Sequence, residues 1–137
     1  DYKGKVIKKS GRLRMVDLPV ITGIPGLNNS ETVKNNSAKI AVAFDIIKNI
    51  RNEKINMYEE ISEINLDNYP DIVMYLYNPA IPVYFSKFNL NEKLYVLSEY
   101  LNYLKSTDTN DEYHKIKSIN LDYANQIVIK KYSTIEM

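Results

Sequence analysis

The 137-residue chain contains no cysteine and no tryptophan, one histidine and only four glycines. Without cysteine it has neither a disulfide framework nor a thiolate metal site, though this absence identifies no compartment. His114 has no cysteine or acidic partner at metal-ligand spacing and reads as a surface or loop histidine. Gly4, Gly11, Gly23 and Gly26 form no phosphate-cradling loop. No apolar run reaches the ~18 residues of a membrane span. The acidic groups Glu59-Glu60 and Asp108 to Glu112 lack the turn glycine and alternating ligands of a calcium loop, so they read as solvated charge. No nucleophile stands beside a base. No catalytic residue, metal, cofactor or small-molecule substrate is therefore expected.

What remains describes one folded domain. A composition of 45% hydrophobic and 26% charged residues suits a globular chain that buries a real core. The net charge of +1 makes no general case for nucleic acid or acidic lipid, but Asp1 to Val16 carries +5 and the remainder −4. The chain opens on Asp1, and we read it as a domain of a longer protein.

Periodicity predicts β-β-α-β-β-β-α-β-β. "GKVIKKS" reads as a strand and "DLPVITGIPG" as a second extended run, with "LNNSETVKNNS" as a polar loop ending in an N-cap at Ser37. The first helix follows, with Ile40, Phe44 and Ile47 at helical spacing and Val42, Ile46 and Ile50 slightly offset. "YEEISEINL", "DIVMYLY" and "IPVYFS" form a strand meander that turns at Asn78-Pro79-Ala80. Asn89 and Glu92 resemble a capping box, after which Leu90, Leu94, Leu97, Leu101 and Leu104 mark the second helix, with "KSTDTNDE" as its exit loop. "INLDY" and "QIVIK" make a terminal hairpin around Ala124-Asn125. Two helices cover one sheet face, so the expected fold is a two-layer α+β domain with a mixed or antiparallel sheet. Its expected core contains Phe44, Ile47, Leu94, Leu97, Leu101, Ile72, Met74, Leu76, Ile119 and Leu121.

Two features bear on binding. Twelve tyrosines stand against three phenylalanines, and Tyr75, Tyr77 and Tyr84 fall on the side of the meander opposite the core. They serve either as cross-strand pairs clothing an open face or as a platform for a protein, a glycan or single-stranded nucleic acid. The terminal strand, Gln126 to Tyr132, ends in Lys130 and Lys131, the charges expected of a managed sheet edge. Such an edge also accepts an added strand.

The order "DYKGKVI", "DLPVITG", a helix, "ISEINL", a strand pair, "FNLNEKLYVLSEYLNYL" and "IKSINLDYANQIVIKKY" resembles the β-domain of the FtsQ/DivIB family of bacterial cell-division proteins, from Asp1 to about Tyr132. The resemblance implies a single β-domain over residues 1–137, with the family's membrane span and POTRA domain absent from this chain. It implies a non-enzymatic divisome scaffold, anchored in the cell membrane by one span, with this domain on the extracytoplasmic side at the septum. Its implied partners are FtsB/DivIC-like and FtsL-like coiled-coil proteins, the partner segment adding a strand along the last strand of the domain, and no nucleic acid is expected. By position the family's partner-binding tyrosine matches Tyr123 and the turn residues match Asn125 and Gln126. The edge strand adds Val128, Lys130 and Tyr132. The family often carries arginine where this chain has Asp122, so its charge complementarity does not carry over. A tyrosine-rich module for glycan or single-stranded nucleic acid is the alternative, and an extracytoplasmic hydrolase would need a pocket in which Glu59, Glu60 or Glu63 faces another acid.

Overall fold

A computed structural model describes residues 19–24, 30–107, 110–123 and 126–133, without the side chains of 30–35 and 110–111. The expected "GKVIKKS" strand, the basic segment Asp1 to Val16 and the turn pair Ala124-Asn125 lie outside the described residues.

Two strand–helix–strand units flank an antiparallel meander. Strand β1 (Val20–Thr22) leads through α1 (Ser30–Ile50) to β2 (Ile61–Asn65), which pairs with β1 in parallel. Strands β2, β3 (Asp71–Leu76) and β4 (Pro82–Ser86) are antiparallel neighbours, as the meander pattern predicts. From β4 the chain crosses through α2 (Leu90–Ser106) and the short α3 (Asn110–Lys115) to β5 (Ile116–Asn120), which pairs in parallel with β4. Strand β6 (Val128–Lys131) then folds back antiparallel on β5. The six described strands form one sheet in chain order, with β1 and β6 outermost. This mixed sheet with helices is the expected α+β architecture.

The core lies between sheet and helices. Leu90, Leu94, Leu97, Leu101 and Leu104 of α2 are buried against Ile72, Met74, Leu76, Val83 and Phe85 of the meander and Ile119 and Leu121 at β5. Two β-bulges re-phase the alternation. Ile61 and Ile64, and again Ile116 and Ile119, point inward at a spacing of three because the register slips between Ile61 and Glu63 and between Ile116 and Ser118. At the first bulge the Ser62 hydroxyl lies 3.3 Å from the carbonyls of Tyr75 and Leu76.

Four expectations are corrected. Helix α1 starts at Ser30, seven residues before Ser37, because polar "SETVKNNS" contains no glycine or proline to stop a helix. Its buried stripe is Val42, Ala43, Ile46 and Ile50, while Phe44 is 51% exposed and Ile47 only partly buried. Ala43, 5% exposed, is the buried member that the pattern of large apolar residues leaves out, and Phe44 beside it faces outward. Asn89 does precede α2, but with φ 55° and no side-chain cap hydrogen bond, so the capping box is not formed. "NDEYHK", which begins inside the expected exit loop and runs three residues past it, is helical, which places His114 in the last turn of α3.

Gly23 explains part of the "LPVITG" pattern. Its φ is +88°, and a Cβ there would lie 2.4 Å from the Asp67 backbone nitrogen and 2.6 Å from the Leu66 carbonyl carbon. That close approach lets the Leu66 N–H reach the Thr22 carbonyl at 2.9 Å, while Lys39 of α1 donates to the Gly23 carbonyl at 2.6 Å.

The choice of face on α1 is testable by urea unfolding. Leu97→Ala should cost about 2–5 kcal/mol, as for other fully buried leucines, whereas Phe44→Ala should cost under about 1 kcal/mol. A Phe44 variant as damaging as the Leu97 variant would return Phe44 to the core.

Candidate functional site: the outer strand and the cleft at its entrance

The β5–β6 connection is longer than the tight hairpin expected. Asn120 pairs with Val128, leaving residues 121–127 between the strands, because the chain after β5 follows β4 instead of turning back. The Leu121 N–H donates to the Tyr84 carbonyl at 2.9 Å, and the Asp122 N–H donates to Asn120 Oδ1 at 2.8 Å. Asp122 Oδ1 then accepts from the Ser86 N–H at 2.8 Å, the Ser86 hydroxyl at 3.2 Å and Lys93 Nζ at 2.8 Å. Lys93 also donates to the Ser86 carbonyl and hydroxyl at 3.2 and 3.0 Å. One carboxylate thus ties the connection to both β4 and α2. Partial burial alone would raise the Asp122 pKa, but the Lys93 ammonium and the Ser86 amide outweigh it and hold the carboxyl below its ordinary 3.8.

This staple borders a cleft of about 390 Å³ lined by Ser86, Phe88, Lys93, Leu121, Tyr123 and Gln126 among others. Phe88 and Tyr123 are 59% and 55% exposed. The Gln126 N–H donates to the Tyr123 carbonyl at 3.0 Å, which holds the two residues together at the start of the outer strand.

Strand β6 spans Val128–Lys131, shorter than the expected Gln126 to Tyr132. The Tyr132 N–H donates inward to the Lys115 carbonyl at 2.9 Å. Backbone groups alternate in direction along a strand, so the amides of Lys130 and Val128 also face β5, while those of Ile129 and Lys131 face outward. No described strand pairs with that outer side. Ile127 and Ile129 pack against the core, as alternation predicted, and Lys130 and Tyr132 are exposed. Of the expected partner-binding residues, the structure brings Tyr123 and Gln126 to the cleft and places Val128, Lys130 and Tyr132 at the edge. Asn125 lies outside the described residues. Sequence reasoning did not find Phe88, Lys93 or Ser86, which come from other elements and carry no local pattern pointing to the edge.

The tyrosine face is less organised than the edge. Register sets Tyr75 opposite Pro82 and Tyr84 opposite Val73, so the two tyrosines are diagonal neighbours and not a directly opposed pair. Tyr77, 66% exposed, lies just past the end of β3. The carboxylates named for a hydrolase have local partners: Glu60 is bonded to Lys105, and Glu63 accepts from Thr22 Oγ1 at 2.7 Å. Neither residue lines the cleft, nor does Glu59. Among the described residues there is no cluster of three or more potential metal ligands and no helix long and apolar enough to cross a membrane.

Fold and edge together define a two-layer α+β sheet domain with an accessible outer strand. The sequence is similar to the cell division protein FtsQ of Geotalea daltonii, 24% identical over 131 residues that cover 96% of this chain. The chain spans 46% of that protein's length. No family model matches this chain. The similarity agrees with the resemblance to the FtsQ/DivIB family read from the motifs, and it extends across nearly the whole chain.

The Asp122 staple has a definite pH signature. A carboxyl whose folded pKa is lowered adds stability that is complete above its unfolded pKa, near 3.8, and is lost as pH falls through the folded value. The difference in melting temperature between wild type and Asp122→Asn should be constant from neutral pH to about pH 5 and should close below about pH 4. A difference that persists unchanged to pH 2 would show that ionisation of Asp122 contributes nothing.

Proposed function

We propose that this chain is a non-enzymatic scaffold domain of the bacterial division machinery, which docks an extended partner segment along the outer side of β6. The observation that carries this reading is the outward direction of the Ile129 and Lys131 backbone groups on the last described strand, beside the cleft of Phe88 and Tyr123. The similarity to FtsQ supports a role in cell division. By the same resemblance the partners are FtsB/DivIC-like and FtsL-like proteins. The domain then works extracytoplasmically at the septum, tethered through a single membrane span outside this chain.

Backbone pairing alone does not give tight binding. Four or five added hydrogen bonds at ~1 kcal/mol net each give ~5 kcal/mol, against ~4–15 kcal/mol for association. Side-chain anchors must supply the rest, unless co-localisation on one membrane raises the effective concentration. Tyr123 is the anchor the geometry favours, because it is exposed, lines the cleft and adjoins the edge.

A titration with the C-terminal segment of the FtsB/DivIC-like partner is the direct test. Val128→Pro would remove an inward ladder bond and damage the fold, so the informative substitution is Lys131→Pro, which deletes an outward N–H at an exposed position. It should weaken binding at least ~10-fold, and Tyr123→Ala should weaken it by ~1–2 kcal/mol, with circular dichroism unchanged in both. Undiminished binding by both folded variants would remove β6 as the docking strand and direct attention to the Tyr75, Tyr77 and Tyr84 face.

A further inference from the structure

The edge is electrically polarised along its length. At the C-terminal end of β6, Lys130 pairs in register with Ser118, and Lys117 projects at the β5 bulge beside it. Lys115 and Lys131 complete a group of four exposed ammonium ions around the last turn of the sheet. Glu112 is the one acid bonded to this group among the described residues, accepting from Lys131 at 3.2 Å and lying 3.8 Å from Lys115. Lys117 and Lys130 have no ion pair among the described residues. Glu63, the acid on β2, is three strands from Lys117 and four from Lys130 in the sheet order, beyond the ~8 Å over which salt lets exposed charges interact. At the opposite end of the edge, Lys93 is consumed by Asp122 and the exposed groups are the aromatic rings of Phe88 and Tyr123.

Lysine on an outer strand discourages unwanted pairing, yet it does so selectively. Antiparallel pairing of two copies through Ile129 and Lys131, the residues with outward amides, would set Lys130 directly opposite its own copy. A basic strand meets the same repulsion. An acidic one meets attraction instead.

We propose that the partner segment is acidic at the end that meets Lys117 and Lys130, and that these two lysines select it over neutral or basic strands; the proposal rests on the reading of β6 as the docking strand. Lys131 and Lys115, already held by Glu112, contribute less to the selection. The two selecting lysines lie outside the core and outside the Asp122 staple, so exchanging them leaves the fold intact.

A displayed library of segments of about eight residues, valine alternating with randomised positions, can be selected on the wild-type chain and on the Lys117→Glu/Lys130→Glu double variant. Wild type should enrich Asp and Glu toward one end of the segment, and the double variant should enrich Lys and Arg at the same positions. A recovered acidic peptide should bind wild type about 2- to 30-fold more tightly than its glutamine counterpart, with the ratio shrinking toward one as salt rises to about 0.5 M. Recovery of the same strands by both proteins, without charge preference, would overturn acidic selection while keeping the edge as a docking strand. Recovery of no strand by either protein would overturn the docking reading itself and this proposal with it.

Discussion

The parallel pairing of β5 with β4 is the constraint on which the open edge at β6 depends. Parallel neighbours cannot be joined by a tight turn, so the chain must cross over the sheet between them, and α2 is that crossover. Its leucine stripe therefore has to lie on the sheet, and burial of Leu94, Leu97 and Leu101 follows from the connection as much as from hydrophobicity. The same crossover leaves β5 with one open side, which β6 fills from a short antiparallel return. The outer side of β6 then has no described strand beside it. Moving β5 elsewhere would bury or abolish that edge.

The strands of the meander and the stripe of α2 were legible because each repeats a strict period over enough residues to fix both element type and buried face. Helix α1 was harder, since Ile40, Phe44 and Ile47 and the stripe of Val42, Ile46 and Ile50 both satisfy helical spacing and differ only by a rotation about the axis. Ala43 is buried with the second stripe, and an alanine carries little weight in a hydrophobic pattern. Helix α3 is six residues long, too short for any period to show. The candidate site was half legible. Tyr123, Gln126 and the lysines stand together in the sequence, whereas the cleft also needs Phe88 and the pair Ser86 and Lys93, which stand 36 and 29 residues from Asp122 in the chain.

Asp122 shows how an exposed-looking charge can be absorbed locally. The aspartate is turned back on its own fold by Lys93 and Ser86. Its charge is spent on shaping the approach to Tyr123, and it becomes a positioning residue for the cleft. The exposed charge of the edge lies at its other end, where Lys117 and Lys130 stand without acidic partners among the described residues.

The alternation of β6 ties the two duties of the strand to the same residues. Ile129 carries its side chain into the core and its amide toward solvent, so the packing that anchors the strand also fixes the direction of the group a partner would bond. Lys131 has the next outward amide, and its side chain is held by Glu112 of α3. The outward backbone row is therefore held at both residues by contacts within the domain, an arrangement that keeps the entropy cost of ordering that row low.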